Sequence, residues 1–249
     1  MVKWIWFLVL ALACSMVGNL HAQVNDYNFW MAGLHFRPLI PTNVPQRTTI
    51  EVSGTPGEAN EFMRVAINPQ FGYSFGMIVR KNFTQRFAIE TGINYVRRFY
   101  QVDVTDVDSA VTSSVDFGLT GYEIPLVALV YIRLGEDFYM NTSLGVSVDF
   151  MARSIANGTR YFDNFTAIRK VSGAALANVG VEYRSRNSGT FYVGVTYHQS
   201  AWPIADTKIN YFRGSFQDAS VETPLDGTYF TLDLRYYFNE QVGRRRQRW

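Results

Sequence analysis

Cysteine is nearly absent. The 249 residues contain one, Cys14, inside an N-terminal apolar stretch, so disulfides, thiol catalysis and cysteine metal sites are excluded from the rest of the chain. An excess of charge of either sign is also lacking. Lys and Arg number 23, Asp and Glu 21, for a formal net charge of +2. That leaves no electrostatic footprint for nucleic acid, which is not expected as a partner. Beyond the first stretch, no apolar run reaches the roughly 20 residues of a spanning helix. Neither a Gly-x-Gly-x-x-Gly turn nor a phosphate loop is present. No carboxylate and histidine cluster has metal-ligand spacing, so no cofactor or metal is expected.

Aromatic residues, by contrast, are plentiful: 16% of the chain, with 15 Tyr and 19 Phe. The N-terminus reads as an export signal. Lys3 precedes the apolar run from Trp4 to Gly18, and Ala22 supplies a small residue before the cleavage point, with the larger Leu20 two positions earlier. Cleavage is expected after Ala22, giving a signal peptide over 1–22. An uncleaved anchor would need a longer apolar run. A lipidated Cys14 would need a Leu three positions before it, where Ala11 stands. A short periplasmic segment is expected over 23–29, a barrel over 30–238 and a basic periplasmic tail over 239–249.

Alternation with period two recurs along the mature chain, the signature of strands. It is clearest at 228–238, where Phe230, Leu232, Leu234, Tyr236 and Phe238 share one face and Tyr229, Thr231, Asp233, Arg235 and Tyr237 the other. Seven further segments read the same way, at 30–38, 69–80, 86–102, 115–133, 138–151, 168–184 and 190–202. Short connections at 81–85, 135–137 and 187–189 alternate with long ones at 41–64, 105–114, 153–167 and 203–226. Outer-membrane barrels pair short periplasmic turns with longer extracellular loops. Without helical spans, a membrane chain must close its backbone hydrogen bonds in a barrel. The expected fold is therefore all-β: an eight-stranded antiparallel up-and-down transmembrane barrel with both termini periplasmic and an interior just wide enough for side chains. A soluble lipocalin-like barrel is the competing reading. It would bury its apolar row, yet here the opposite row carries charge on most strands, a poor lining for an apolar ligand pocket.

Parity sends Arg37, Arg80, Arg98, Arg133, Arg184 and Arg235 into the lumen with Glu90, Glu123, Asp149, Glu182 and Asp233. Charges in a narrow interior must pair. A polar plug is the expected result, with a selective pore as the alternative. Tyr236, Tyr237 and Phe238 are expected to form an aromatic girdle and an assembly signal at the end of the last strand. His198 and Ser200 have nucleophile and base chemistry at i, i+2 on one strand face, on the order of 7 Å apart. They look like a fragment of the His-x-Ser pair of outer-membrane lipid A deacylases, but the rest of that motif is missing and parity turns both inward. His35 reads as a hydrogen-bonding lumen residue. Arg244, Arg245, Arg246, Arg248 and Trp249 form a basic tail, either solvated or attracted to anionic headgroups.

The run Gly121-Tyr122-Glu123-Ile124-Pro125-Leu126 resembles a motif of the Bacteroidota outer-membrane β-barrel family, the PorT-like or "porin family" small barrels. Glu90-Thr91-Gly92-Ile93-Asn94-Tyr95 is similar to the strand before it, and Ala22-Gln23 resembles the signal cleavage of that phylum. The likeness runs from Phe71 to Phe238. It implies an outer-membrane location without a substrate, and no secretion role is carried over, because the N-terminus lacks a matching leader segment. The expected function is a non-enzymatic structural or interaction role, with long loops outside the cell. The alternatives are a small channel and a lipid-modifying enzyme. The expected partners are outer-membrane lipids and the outer-membrane assembly machinery; the loop ligand is unknown.

Overall fold

A computed structural model describes residues 29–42, 50–53, 61–106, 111–152, 155–158, 162–185, 188–213 and 216–238. The leader with Cys14, nearly all of the segment after it and the basic tail lie outside the described residues. The described residues form thirteen strands: β1 (Phe29–Pro41), β2 (Ile50–Ser53), β3 (Glu61–Asn82), β4 (Phe87–Asp106), β5 (Val111–Arg133), β6 (Phe138–Met151), β7 (Ile155–Gly158), β8 (Phe162–Ile168), β9 (Val171–Ser185), β10 (Gly189–Ser200), β11 (Ala205–Arg213), β12 (Phe216–Leu225) and β13 (Tyr229–Tyr237). Eight of them pair antiparallel in the order β1-β13-β10-β9-β6-β5-β4-β3, and β3 pairs back onto β1, closing a ring. Closure leaves no edge along this ring for lipid to desolvate. These eight strands coincide with the eight expected from alternation.

The wall is apolar outside and polar inside. Met77, Leu126 and Leu144 project outward with 64%, 55% and 70% of their surface exposed. A continuous belt of such residues cannot face water in a soluble protein. Inside, Arg80, Asp149, Glu182 and Asp233 are fully buried. This is the reverse of a lipocalin.

The long connections depart from expectation, since their described residues are mostly β-structure rather than loops. A tilted membrane strand needs about 9–11 residues, whereas β3, β4 and β5 have 22, 20 and 23. Their excess stands beyond the membrane on the long-connection side, where β2 extends β3. A second sheet, β12-β11-β8-β7, fills the remaining connections. Val65, Ile67, Val102, Val104, Phe117 and Leu119 of the tall strands pack with Ile204, Ala205, Ile209 and Leu225 into one buried apolar cluster. The result is a two-sheet cap with a core of its own.

Along β4 the inward row reads Glu90, Asn94, Arg98, then Tyr100, Val102 and Val104, all buried. The outward row changes oppositely, from Ile89 and Ile93 to Gln101 and Asp103. The solvent therefore inverts near Arg98: lipid outside and a polar lumen below it, water outside and an apolar core above it. On β3 the change of environment coincides with a β-bulge between Gln70 and Tyr73, where the register against β4 gains one residue and the parity shifts. Gly72 is required there, because a Cβ would lie 2.3 Å from the Arg97 carbonyl oxygen.

Candidate functional site: the barrel lumen

Two charge clusters fill the lumen. Toward the short turns, Arg80 is wholly buried. Its Nε lies 3.1 Å from Glu90 Oε2 and its Nη1 2.6 Å from Glu182 Oε2, while its Nη2 donates to the Tyr237 hydroxyl. Arg235 Nη1 donates to Glu90 Oε1 at 2.7 Å, and its Nη2 donates to Asp233. Arg184 Nε donates to Glu182 Oε1 at 2.7 Å, and Arg37 pairs with Asp233 at 3.4 Å. Thr196 and Thr231 hydroxyls also donate to Asp233. Aromatic faces complete the cation shells: Arg80 lies 3.8 Å from the Tyr237 ring centre and Arg184 4.0 Å from that of Tyr139.

Nearer the cap, Arg98 Nη2 donates to Glu123 Oε1 at 2.9 Å, as does the Tyr229 hydroxyl at 2.6 Å. His198 Nε2 lies 3.0 Å from Asp149 Oδ2 and 3.7 Å from Glu123 Oε1. Ser147 donates to Asp149 Oδ1 at 2.6 Å, and the imidazole stacks on the Tyr229 ring at 4.4 Å.

Of the eleven charged residues expected in the lumen, ten are there. Arg133 is not. It has the inward parity, but at the end of β5 it has left the wall for water, exposed and bonded through Nε to the Gly135 carbonyl at 2.8 Å. Its departure balances the interior. Arg37, Arg80, Arg98, Arg184 and Arg235 now face Glu90, Glu123, Asp149, Glu182 and Asp233, five against five. Tyr237 is a second correction. It is fully buried, and its hydroxyl donates to Glu90 at 2.5 Å. It shares the row of Arg235 and so cannot join a girdle. Tyr236 and Phe238 do face outward, edge to face with ring centres 5.4 Å apart. His35 is buried in the lumen as expected, yet neither ring nitrogen has a hydrogen-bond partner among the described residues. The Glu123, Asp149 and His198 cluster escaped sequence reasoning altogether, because its members lie on three strands.

The family described as "Outer membrane protein beta-barrel domain" matches residues 42–166, half of the chain. The chain belongs to this family. It is a small β-barrel of the cell outer membrane. Among solved structures, the crystal structure of the outer membrane protein OprG from Pseudomonas aeruginosa is similar, with a TM-score of 0.54 at 14% identity over 85% of this chain and 96% of that one. The outer membrane protein AlkL, solved by solid-state NMR in DMPC bilayers, aligns with a TM-score of 0.46 at 17% identity over 89% of this chain and 96% of that one. The OprG likeness concerns the eight-stranded fold alone. No curated protein matches the chain in sequence.

Two further features of this outer-membrane barrel bear on chemistry. Ser200 Oγ donates to the Trp202 carbonyl at 2.7 Å. His198 turns Nε2 toward Asp149, and its Nδ1 has no partner among the described residues, so the imidazole is not hydrogen-bonded to the Ser200 hydroxyl. A small cleft of about 40 Å³, open to solvent, lies where the pairing of β1 with β3 ends at Leu39 opposite Gly72. Leu39, Ile67, Pro69 and Tyr100 line it, together with the buried Arg98 and Tyr229.

Proposed function

We propose that this barrel is a closed, non-conducting, non-enzymatic scaffold whose wall anchors it in outer-membrane lipid and whose β-cap is the part that meets partners outside the cell. The filled lumen carries this reading. Five arginines and five carboxylates interlock across the interior, and the apolar core of the cap stands above them. An ion crossing this barrel would have to displace paired charges from a low-dielectric interior, which costs several kcal/mol per ion. The engagement of Ser200 with a backbone carbonyl supports the non-enzymatic part. Insertion by the outer-membrane assembly machinery is part of the proposal, with β13 as the strand it reads. The run 121–126 supports a finer placement among the PorT-like small barrels of Bacteroidota.

Conductance tests the proposal. Purified protein in planar bilayers should give no steady current above the bare membrane. Large, reproducible, ion-selective openings would make it a channel.

A further inference from the structure

We propose that Glu123, Asp149 and His198 form a binding site for one small divalent transition-metal ion, of the Zn²⁺ class, inside the barrel beneath the cap. The donor atoms already stand close to the spacing such an ion needs. With metal–ligand bonds of about 2.0–2.2 Å, neighbouring ligands of a four- or six-coordinate ion lie roughly 3.0–3.5 Å apart. His198 Nε2 lies 3.0 Å from Asp149 Oδ2 and 3.7 Å from Glu123 Oε1, and one donor from each residue fits within 4.8 Å of the others. Ca²⁺, with its longer bonds and six to eight oxygen ligands, would need a wider, all-oxygen shell. One imidazole and two carboxylates is a donor set for Zn²⁺ or a similar borderline ion, with positions left for water.

Three strands fix this geometry. Glu123 and Asp149 are directly opposed across β5 and β6, and His198 reaches them from β10, held by its stack on Tyr229. All three are at most 4% exposed, so their side chains lose little further freedom on binding. Glu123 is oriented by Arg98 and Tyr229, and Asp149 by Ser147, the outer-shell contacts that tune a metal site.

Charge and access point the same way. The cap-side cluster has two carboxylates against Arg98 alone, whereas the other cluster has four arginines against three carboxylates. Within a lumen balanced as a whole, the cap-side cluster therefore has a local excess of carboxylate, and it sits on the proposed ligands. The cleft beside Leu39 reaches Arg98 and Tyr229, the two residues that bond Glu123. None of the three ligands lines that cleft, so an ion must pass Arg98 and Tyr229 to reach Glu123.

The test uses the full-length barrel, stripped with a chelator and refolded in detergent, with Zn²⁺ and Ca²⁺ titrated separately by calorimetry. Zn²⁺ should bind at one ion per chain, and Ca²⁺ should not. His198→Gln and Glu123→Gln should each weaken binding by more than about tenfold, the least that loss of even an outer-shell partner costs. His35→Gln, elsewhere in the lumen, should leave binding unchanged. Should the site variants fail to fold, Co²⁺ in the wild-type barrel decides. A visible spectrum of a nitrogen- and oxygen-ligated ion, removed by one equivalent of Zn²⁺, supports the site. No Zn²⁺ binding tighter than about 100 μM, binding that both site variants retain, or a preference for Ca²⁺ would overturn it. A conducting barrel would refute the proposed function without touching this outcome.

Discussion

Arg80→Met should be among the most damaging single changes in the wall. Methionine keeps much of the aliphatic volume and removes the guanidinium that Glu90, Glu182 and Tyr237 share. Breaking a buried ion pair by deleting one partner costs about 3–5 kcal/mol. Both carboxylates keep a second cation, Arg235 for Glu90 and Arg184 for Glu182, each at 2.7 Å, so the cost should fall near the lower limit, about 3 kcal/mol. Adding Glu182→Gln should cost less than the sum of the two single changes, with a coupling of about 1–2 kcal/mol, because it removes the carboxylate that Arg80→Met left short of a partner. Arg133→Met is the control. That arginine is exposed, and its loss should change stability by less than about 0.5 kcal/mol. Urea unfolding of the refolded barrel in detergent, followed by tryptophan fluorescence and by heat-modifiable gel mobility, measures the wild type, the two single variants, the double variant and the control. An Arg80→Met cost no larger than that of Arg133→Met, or strict additivity with Glu182→Gln, would refute the argument that the lumen is one coupled network.

Phe238→Asp should lower folded yield in the outer membrane, because the ring faces outward against Tyr236 and a carboxylate there would meet the interface. Deleting 239–249 should leave yield largely intact; the opposite pair of results would move the end of the barrel. Ile209→Asp places a charge in the cap core, where Ile209 is fully buried. Protease should then cut within 201–228 on intact outer membranes while heat-modifiable mobility survives. Loss of that mobility as well would show that cap and wall fold as one unit.

How far the sequence was legible follows from where each side chain's environment is set. Alternation on eight segments determined the number of strands in the wall, and with it the inward rows of charge, because one face had to meet lipid and the other could not. Glu90, Asp149 and Asp233 could be assigned to the interior from parity alone. Parity gives a direction and not a height. Arg133 and Tyr237 both have inward parity, yet one ends in water and the other at the centre of the network. The cap was partly written in the sequence: Val102 and Val104 alternate with Gln101 and Asp103 in the opposite sense to the wall, and that reversal marks where the solvent changes. Tertiary structure alone decided the partners. Which carboxylate meets Arg80, and that Glu123, Asp149 and His198 converge, depends on strand register around a closed ring. Hydrogen bonds between strands distant in sequence fix that register, and no local pattern along one strand encodes it.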